Sequence, residues 1–175
     1  MSLRRPTRRQ LLGAFAAVGG ALFGAGLGLR LLRGFAPAVP RLRLLDADEH
    51  RTVARLAEAL FPPGGAFPLG AAELDLARHL DAFLADEPPW NQADLRHAIT
   101  LLEYGPVLLE RRLRTFSHLS PEERLAHFQR WRESDQLLLR QAALALHKFL
   151  SLVFYDQPAV WPAIRYDGPA VAAGP

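Results

Sequence analysis

Cysteine is absent from the whole chain. That excludes structural disulfides, thiolate zinc sites, cysteine-ligated iron–sulfur clusters, thioether-linked haem and a cysteine nucleophile, since each needs the sulfur. Any electron-transfer centre would have to use other ligands or belong to another chain. Acids are absent from the first 45 residues, where Arg4, Arg5, Arg8, Arg9, Arg30 and Arg33 all precede Asp46. From residue 34 onward there are 15 basic and 18 acidic side chains, so the formal charge of +3 describes the leader and the remainder is mildly acidic. That distribution argues against a nucleic-acid footprint. Missing too are a Gly-x-Gly-x-x-Gly loop, a Walker lysine motif and a Gly-x-Ser-x-Gly elbow. No run of alternating apolar and β-branched residues is long enough for a strand, so the expected class is all-α. At 175 residues, half of them hydrophobic, the chain suits one domain with a real core.

What is present begins with an address. A basic, acid-free head (residues 1–9) precedes Leu11–Leu29, a run without charge, which is the physical plan of an export signal. The order Thr7-Arg8-Arg9-Gln10-Leu11-Leu12 resembles the twin-arginine signal, with Arg8 and Arg9 as the pair and Leu11 and Leu12 as the apolar doublet; Gly13 stands where a lysine is often found. The resemblance implies passage through the twin-arginine translocase, which moves folded proteins, and a periplasmic destination. Six glycines dilute the run's apolarity, which suits that route better than the general secretory one. Ala36-Pro37-Ala38 offers a cleavage site. Alternatively, residues 11–29 in a helix reach roughly 28 Å against a hydrocarbon core of about 30 Å, long enough to anchor the protein in the cytoplasmic membrane. Gly20, Gly24 and Gly28 would then share one helix face. Residues 1–38 are thus a signal or an anchor, and 39–175 the domain.

The domain is expected to be a bundle of about five helices. The first starts at Asp46 with a capping box to Glu49, buries Val53, Leu56 and Leu60, and ends at Phe61-Pro62-Pro63-Gly64-Gly65. The second spans about Ala71–Ala85 with Leu76, Leu80, Phe83 and Leu84 inward. In the third, Leu95, Ile99, Leu102, Pro106, Leu109, Leu113 and Phe116 hold one face, with a kink or a division expected at Gly105-Pro106. Ser120-Pro121-Glu122-Glu123 opens the fourth, with Leu125, Phe128 and Trp131 inward. The fifth, about Ser134–Phe154, is apolar almost all round. Such a helix is either the centre of the bundle or has an outer side covered by another protein.

Chemistry is harder to find. His50, His79, His97, His118, His127 and His147 form no His-x-x-x-His or Glu-x-x-His pair, so a metal site or a bis-histidine haem would need distant elements to meet. A membrane-anchored electron-transfer module holding b-type haem or a metal is therefore the alternative reading. The acids at Asp46, Asp48, Glu49, Glu122 and Glu123 fall in first helical turns, where capping accounts for them. Arg111, Arg112 and Arg114 cluster at a helix end, where the dipole favours cations. No set of residues suggests an active site, and the chain is expected not to be an enzyme itself.

The C-terminal segment Phe154-Tyr155-Asp156-Gln157-Pro158-Ala159-Val160-Trp161-Pro162-Ala163-Ile164-Arg165-Tyr166-Asp167-Gly168-Pro169 sets aromatics among prolines, a composition that packs. This tail, the ALFPPGG break and the twin-arginine leader together resemble the small subunit (subunit 3, or gamma) family of membrane-associated gluconate 2-dehydrogenases and related sugar and alcohol dehydrogenases. The resemblance covers most of residues 44–169 and is most specific at Trp161-x-x-Ile164-x-Tyr166-Asp167-Gly168-Pro169. It implies a cofactor-free, non-catalytic subunit bound to a large FAD-dependent partner of the glucose–methanol–choline type, often with a separate cytochrome c subunit taking the electrons. In that family the small subunit carries the export signal for a flavoprotein that must acquire FAD in the cytoplasm. Phe154, Tyr155, Trp161, Ile164, Tyr166, Asp167, Gly168 and Pro169, with an exposed apolar part of the last helix, are the expected contact residues.

Overall fold

The computed structural model describes residues 26–65 and 67–169. The chain divides into two compact units, Met1–Gly34 and Phe35–Pro175. In the first, residues 26–33 are helical (α1). This helix stops at Gly34, whose φ of +64° lets its amide donate back to the carbonyls of Arg30 and Leu31. Arg8, Arg9, Leu11 and Leu12 lie outside the described residues, as does most of the 11–29 run.

In the second unit the described residues form α2 (Ala47–Leu60), α3 (Leu76–Ala85), α4 (Pro89–Glu110), α5 (Pro121–Arg132) and α6 (Leu137–Tyr155), with 3-10 turns at Phe116–His118 and Trp161–Ile164 and no strand. Both expected capping boxes are present. Asp46 accepts from the Glu49 amide at 2.7 Å and Glu49 accepts from the Asp46 amide at 2.9 Å. Ser120 and Glu123 repeat the exchange at 3.2 and 3.0 Å, with Pro121 at the first helical position. Each cap is worth about 1 kcal/mol because it satisfies amides that the helix itself leaves without partners.

Both α2 and α6 pack on α3, α4 and α5, so the three middle helices are gripped from two sides. Leu56, Leu76, Leu80, Leu84, Ile99, Leu102, Phe128, Leu146 and Leu150 meet in one core. Phe61, just past α2, stacks on Phe154 of α6 with ring centroids 4.4 Å apart.

Four expectations are corrected. Residues 71–75 are turns, so the second helix begins at Leu76 instead of Ala71. The third continues through Gly105-Pro106 as one helix. Proline forfeits one ladder bond there, but Gly105 lets α5 approach so closely that a Cβ on it would lie 2.8 Å from Trp131 Cζ2 and 2.9 Å from His127 Nε2. The expected division into two helices is therefore not seen, and the side chains of Trp131 and His127 from α5 occupy the space that Gly105 leaves open. The face running to Leu113 and Phe116 is cut at Arg111, whose φ of 55° ends the helix; Leu109 and Leu113 are exposed, and Phe116 is buried from a separate turn. Leu125 is at the surface of α5 instead of lining its inner side.

Two buried carboxylates tie distant segments together. Glu103 of α4, fully buried, accepts from Thr52 Oγ1 of α2 at 3.0 Å and from the amide and hydroxyl of Ser117 at 3.0 and 2.8 Å. Asp81 of α3 accepts from the amides of Arg43, Leu44 and Leu45 at 2.7, 3.0 and 2.7 Å, clasping the strand-free lead into α2. Charged acceptors fully supplied with donors survive burial, and removing them leaves several donors stranded.

Candidate partner-binding surface

The surface starts from α6. Leu139, Ala142, Ala143, Leu146, Leu150, Val153 and Phe154 face the core, which accounts for half of the helix's apolar residues. Leu137, Leu138, Leu144 and Leu152 are 58, 67, 67 and 49 % exposed. Leu137, Leu144 and Tyr155 are separated by two and three turns and so fall on one line, with Leu152 beside it and Leu138 turned about 100° away toward α4. The helix is long and apolar enough to cross a membrane by length and composition, yet it is also a packed core helix. One side of the helix is central to the bundle, and the other is an open leucine stripe.

Clefts flank the stripe. Between α4 and α6, Ala98, Ala142 and Ala145 floor a groove of about 610 Å³ walled by Leu101, Leu138 and Phe149, with Asp94 on its rim. On the other flank Arg132, Arg140 and His147 join Leu137 and Leu144 around about 410 Å³. At the C-terminal end of α6 a cleft of about 620 Å³ is lined by Lys148, Leu152, Tyr155, Trp161, Tyr166 and Pro169 among others.

The last of these clefts exists because the tail folds back. Val160 is buried and anchors it. Trp161 Nε1 donates to the Tyr155 carbonyl at 3.0 Å, and the Tyr166 amide donates to the Trp161 carbonyl at 3.0 Å. The Tyr166 ring meets Trp161 edge-on at 5.3 Å. The reversal is made at Arg165, with φ of 55°, and at Gly168, with φ of +100°, where an added Cβ would lie 3.1 Å from Trp161 Cζ3. Only glycine tolerates both that backbone and that contact without strain.

Of the expected contact residues, Tyr155, Ile164, Tyr166, Asp167 and Pro169 are exposed, and Trp161 and Gly168 are half-buried beside them. Phe154 is a correction. It is 1 % exposed, stacked on Phe61 and met edge-on by Phe67, and so belongs to the core. The helical period explains the difference, because Phe154 and Tyr155 point about 100° apart.

Histidines sit one to an element: His50 on α2, His79 on α3, His97 on α4, His118 on the 3-10 turn, His127 on α5 and His147 on α6. Among the described residues no group of three or more metal-ligating side chains forms. His127 is fully buried, its Nδ1 2.5 Å from Glu110, and rings of Phe116 and Trp131 pack around it. Burial lowers its pKa, with the Glu110 hydrogen bond opposing. Glu110 also takes Arg130 at 2.7 Å and Arg112 at 3.0 Å, and Arg112 reaches Glu123 at 2.7 Å. Part of the Arg111–Arg114 cluster is therefore used in closing α4 onto α5. Glu103, Asp81 and His127 were not singled out from the sequence, and only their neighbours in space distinguish them from ordinary helix-surface residues.

The chain matches no protein-family model, no curated protein and no solved structure.

Proposed function

We propose that this chain is a non-catalytic small subunit of a membrane-associated FAD-dependent sugar or alcohol dehydrogenase, escorting its folded partner through twin-arginine export and stabilising it afterwards. The observation that supports this reading is a single one: the folded-back aromatic tail lines a cleft with Leu152 and Tyr155, at the end of the open leucine stripe of α6. Exposed apolar surface of that extent, rimmed by polar groups, marks a contact site in proteins generally. Rigid Tyr and Trp side chains add contact area at low entropic cost. In this reading FAD resides in the large chain, electrons leave through a cytochrome c subunit where one is present, and the leader directs the assembly to the periplasm. It either remains as a membrane anchor or is cleaved after Ala38.

The test is co-expression with an adjacent large flavoprotein that has no signal of its own. Purification of this chain should bring down a flavin-containing partner, and Arg8→Lys with Arg9→Lys should leave both chains in the cytoplasm. Equal export of the large chain in the absence of this one would overturn the escort role.

A further inference from the structure

The open side of α6 is not only apolar. Its 19 residues contain no carboxylate, while Arg140, His147 and Lys148 are basic. Arg132 of α5 lines the same cleft as Arg140, His147, Leu137 and Leu144, and its charge helps to lower the pKa of His147, after burial. Seven cations elsewhere in the domain, Arg43, Arg55, Arg78, Arg96, Arg112, Arg124 and Arg130, each meet a carboxylate. Among the described residues no carboxylate pairs with Arg132, Arg140 or Lys148, and Arg140 donates instead to the Ser134 carbonyl at 2.6 Å.

We propose that this face receives an acidic amphipathic helix of the partner, a proposal that rests on the small-subunit reading. Leucine-like side chains of that helix would lie over Leu137, Leu144 and Leu152, with carboxylates turned toward Arg132, Arg140 and Lys148. From Leu137 to Leu152 the stripe is about 22 Å long, enough for four turns of a docked helix. Helix-in-groove recognition of this kind takes affinity from the apolar line and orientation from the flanking charges. A second copy docking through the same helix would bring cations against cations over most of its length, because α6 meets no acid of its own before Asp156 at its C-terminal cap. An anionic bilayer meets the lysine and arginines but also Asp94 on the opposite rim, and a bilayer has no side chains to enter the alanine-floored groove.

The purified full chain is titrated with a fluorescent 18-residue helix of leucine and glutamate, with versions carrying glutamine or lysine for glutamate, and with phosphatidylglycerol vesicles. The glutamate helix should bind best. Arg132→Glu with Arg140→Glu should weaken it about tenfold and favour the lysine version, a swap that misfolding cannot mimic. Equal binding of all three helices, binding to vesicles alone, or self-association that excludes the helix overturns the proposal. If a co-expressed flavoprotein copurifies equally well with the double variant, only the docking chemistry is wrong. If none copurifies with the wild-type chain, the small-subunit reading itself fails, whatever the helices do.

Discussion

The α4–α5 side of the domain and the outer side of α6 are built on opposite terms. Where α4 meets α5, Glu110 gathers Arg112, His127 and Arg130, so these charges are matched within the chain, and further along α4 Glu103 takes three donors from α2 and the 3-10 turn. On α6 the leucines stay in solvent and the cations find no carboxylate. Electrostatic closure of that kind fixes how two helices sit but leaves nothing for a partner to recognise. An unclosed face costs little in the isolated chain, since surface charges are well solvated and surface pairs are worth only about 0–1 kcal/mol. The difference separates residues that hold the fold from residues that are free for contact.

That separation can be broken by substitution. The largest loss is expected at Phe154→Ala, on the inner side of α6, where removing a stacked, buried ring should cost about 4 kcal/mol in urea unfolding. A loss below about 1 kcal/mol would mean that Phe154 is not a core residue. Glu103→Ala comes next, at about 3 kcal/mol, because the buried amide and hydroxyl of Ser117 lose their carboxylate, while Thr52 keeps the Asp48 carbonyl as an acceptor. A neutral outcome would show that the α4 joint is not closed as described.

Acid should weaken the closed side selectively. Burial holds His127 below the ordinary value of 6.5, despite the pull of Glu110. The native state therefore binds this proton more weakly than the unfolded chain does, so its contribution is full above about pH 6.5 and is lost as pH falls from there through the folded value. Glu110 acts in the same sense further down: burial would raise its carboxyl, but Arg130 and His127 outweigh burial and leave it below the ordinary 4.5. Urea midpoints should fall from pH 7 to pH 5, and His127→Gln should flatten that limb. Some slope should persist, since burial lowers His50 and His147 as well. A slope unchanged by His127→Gln would remove the histidine from the account. The smallest effect on folding is expected at Leu144→Ser, within about 0.5 kcal/mol, while partner capture drops. Destabilisation comparable to that of Phe154→Ala would erase the contrast between the two sides of α6.

Much of this contrast was hidden in the sequence. The leucines of α6 look alike along the chain, and the reading that one side is central or covered could not say which side. The capping roles of Asp46, Glu49 and Glu123 are legible in the sequence, because their partners lie three residues away. Glu103 escaped because its donors come from Thr52, 51 positions earlier, and from Ser117, 14 positions later. His127 escaped for the same reason, since Glu110 is 17 residues distant.

The sequence by itself determined the all-α class, the two capping boxes, the proline-bounded helix ends and the aromatic composition of the tail. Each of these depends on neighbours within about one helical turn, where propensity and capping act. Only the tertiary structure decided that α4 passes through Pro106, that Phe154 is core while Tyr155 is surface, and which carboxylates are buried. Those outcomes depend on which distant groups pack together and share their donors, and that is settled when the helices assemble.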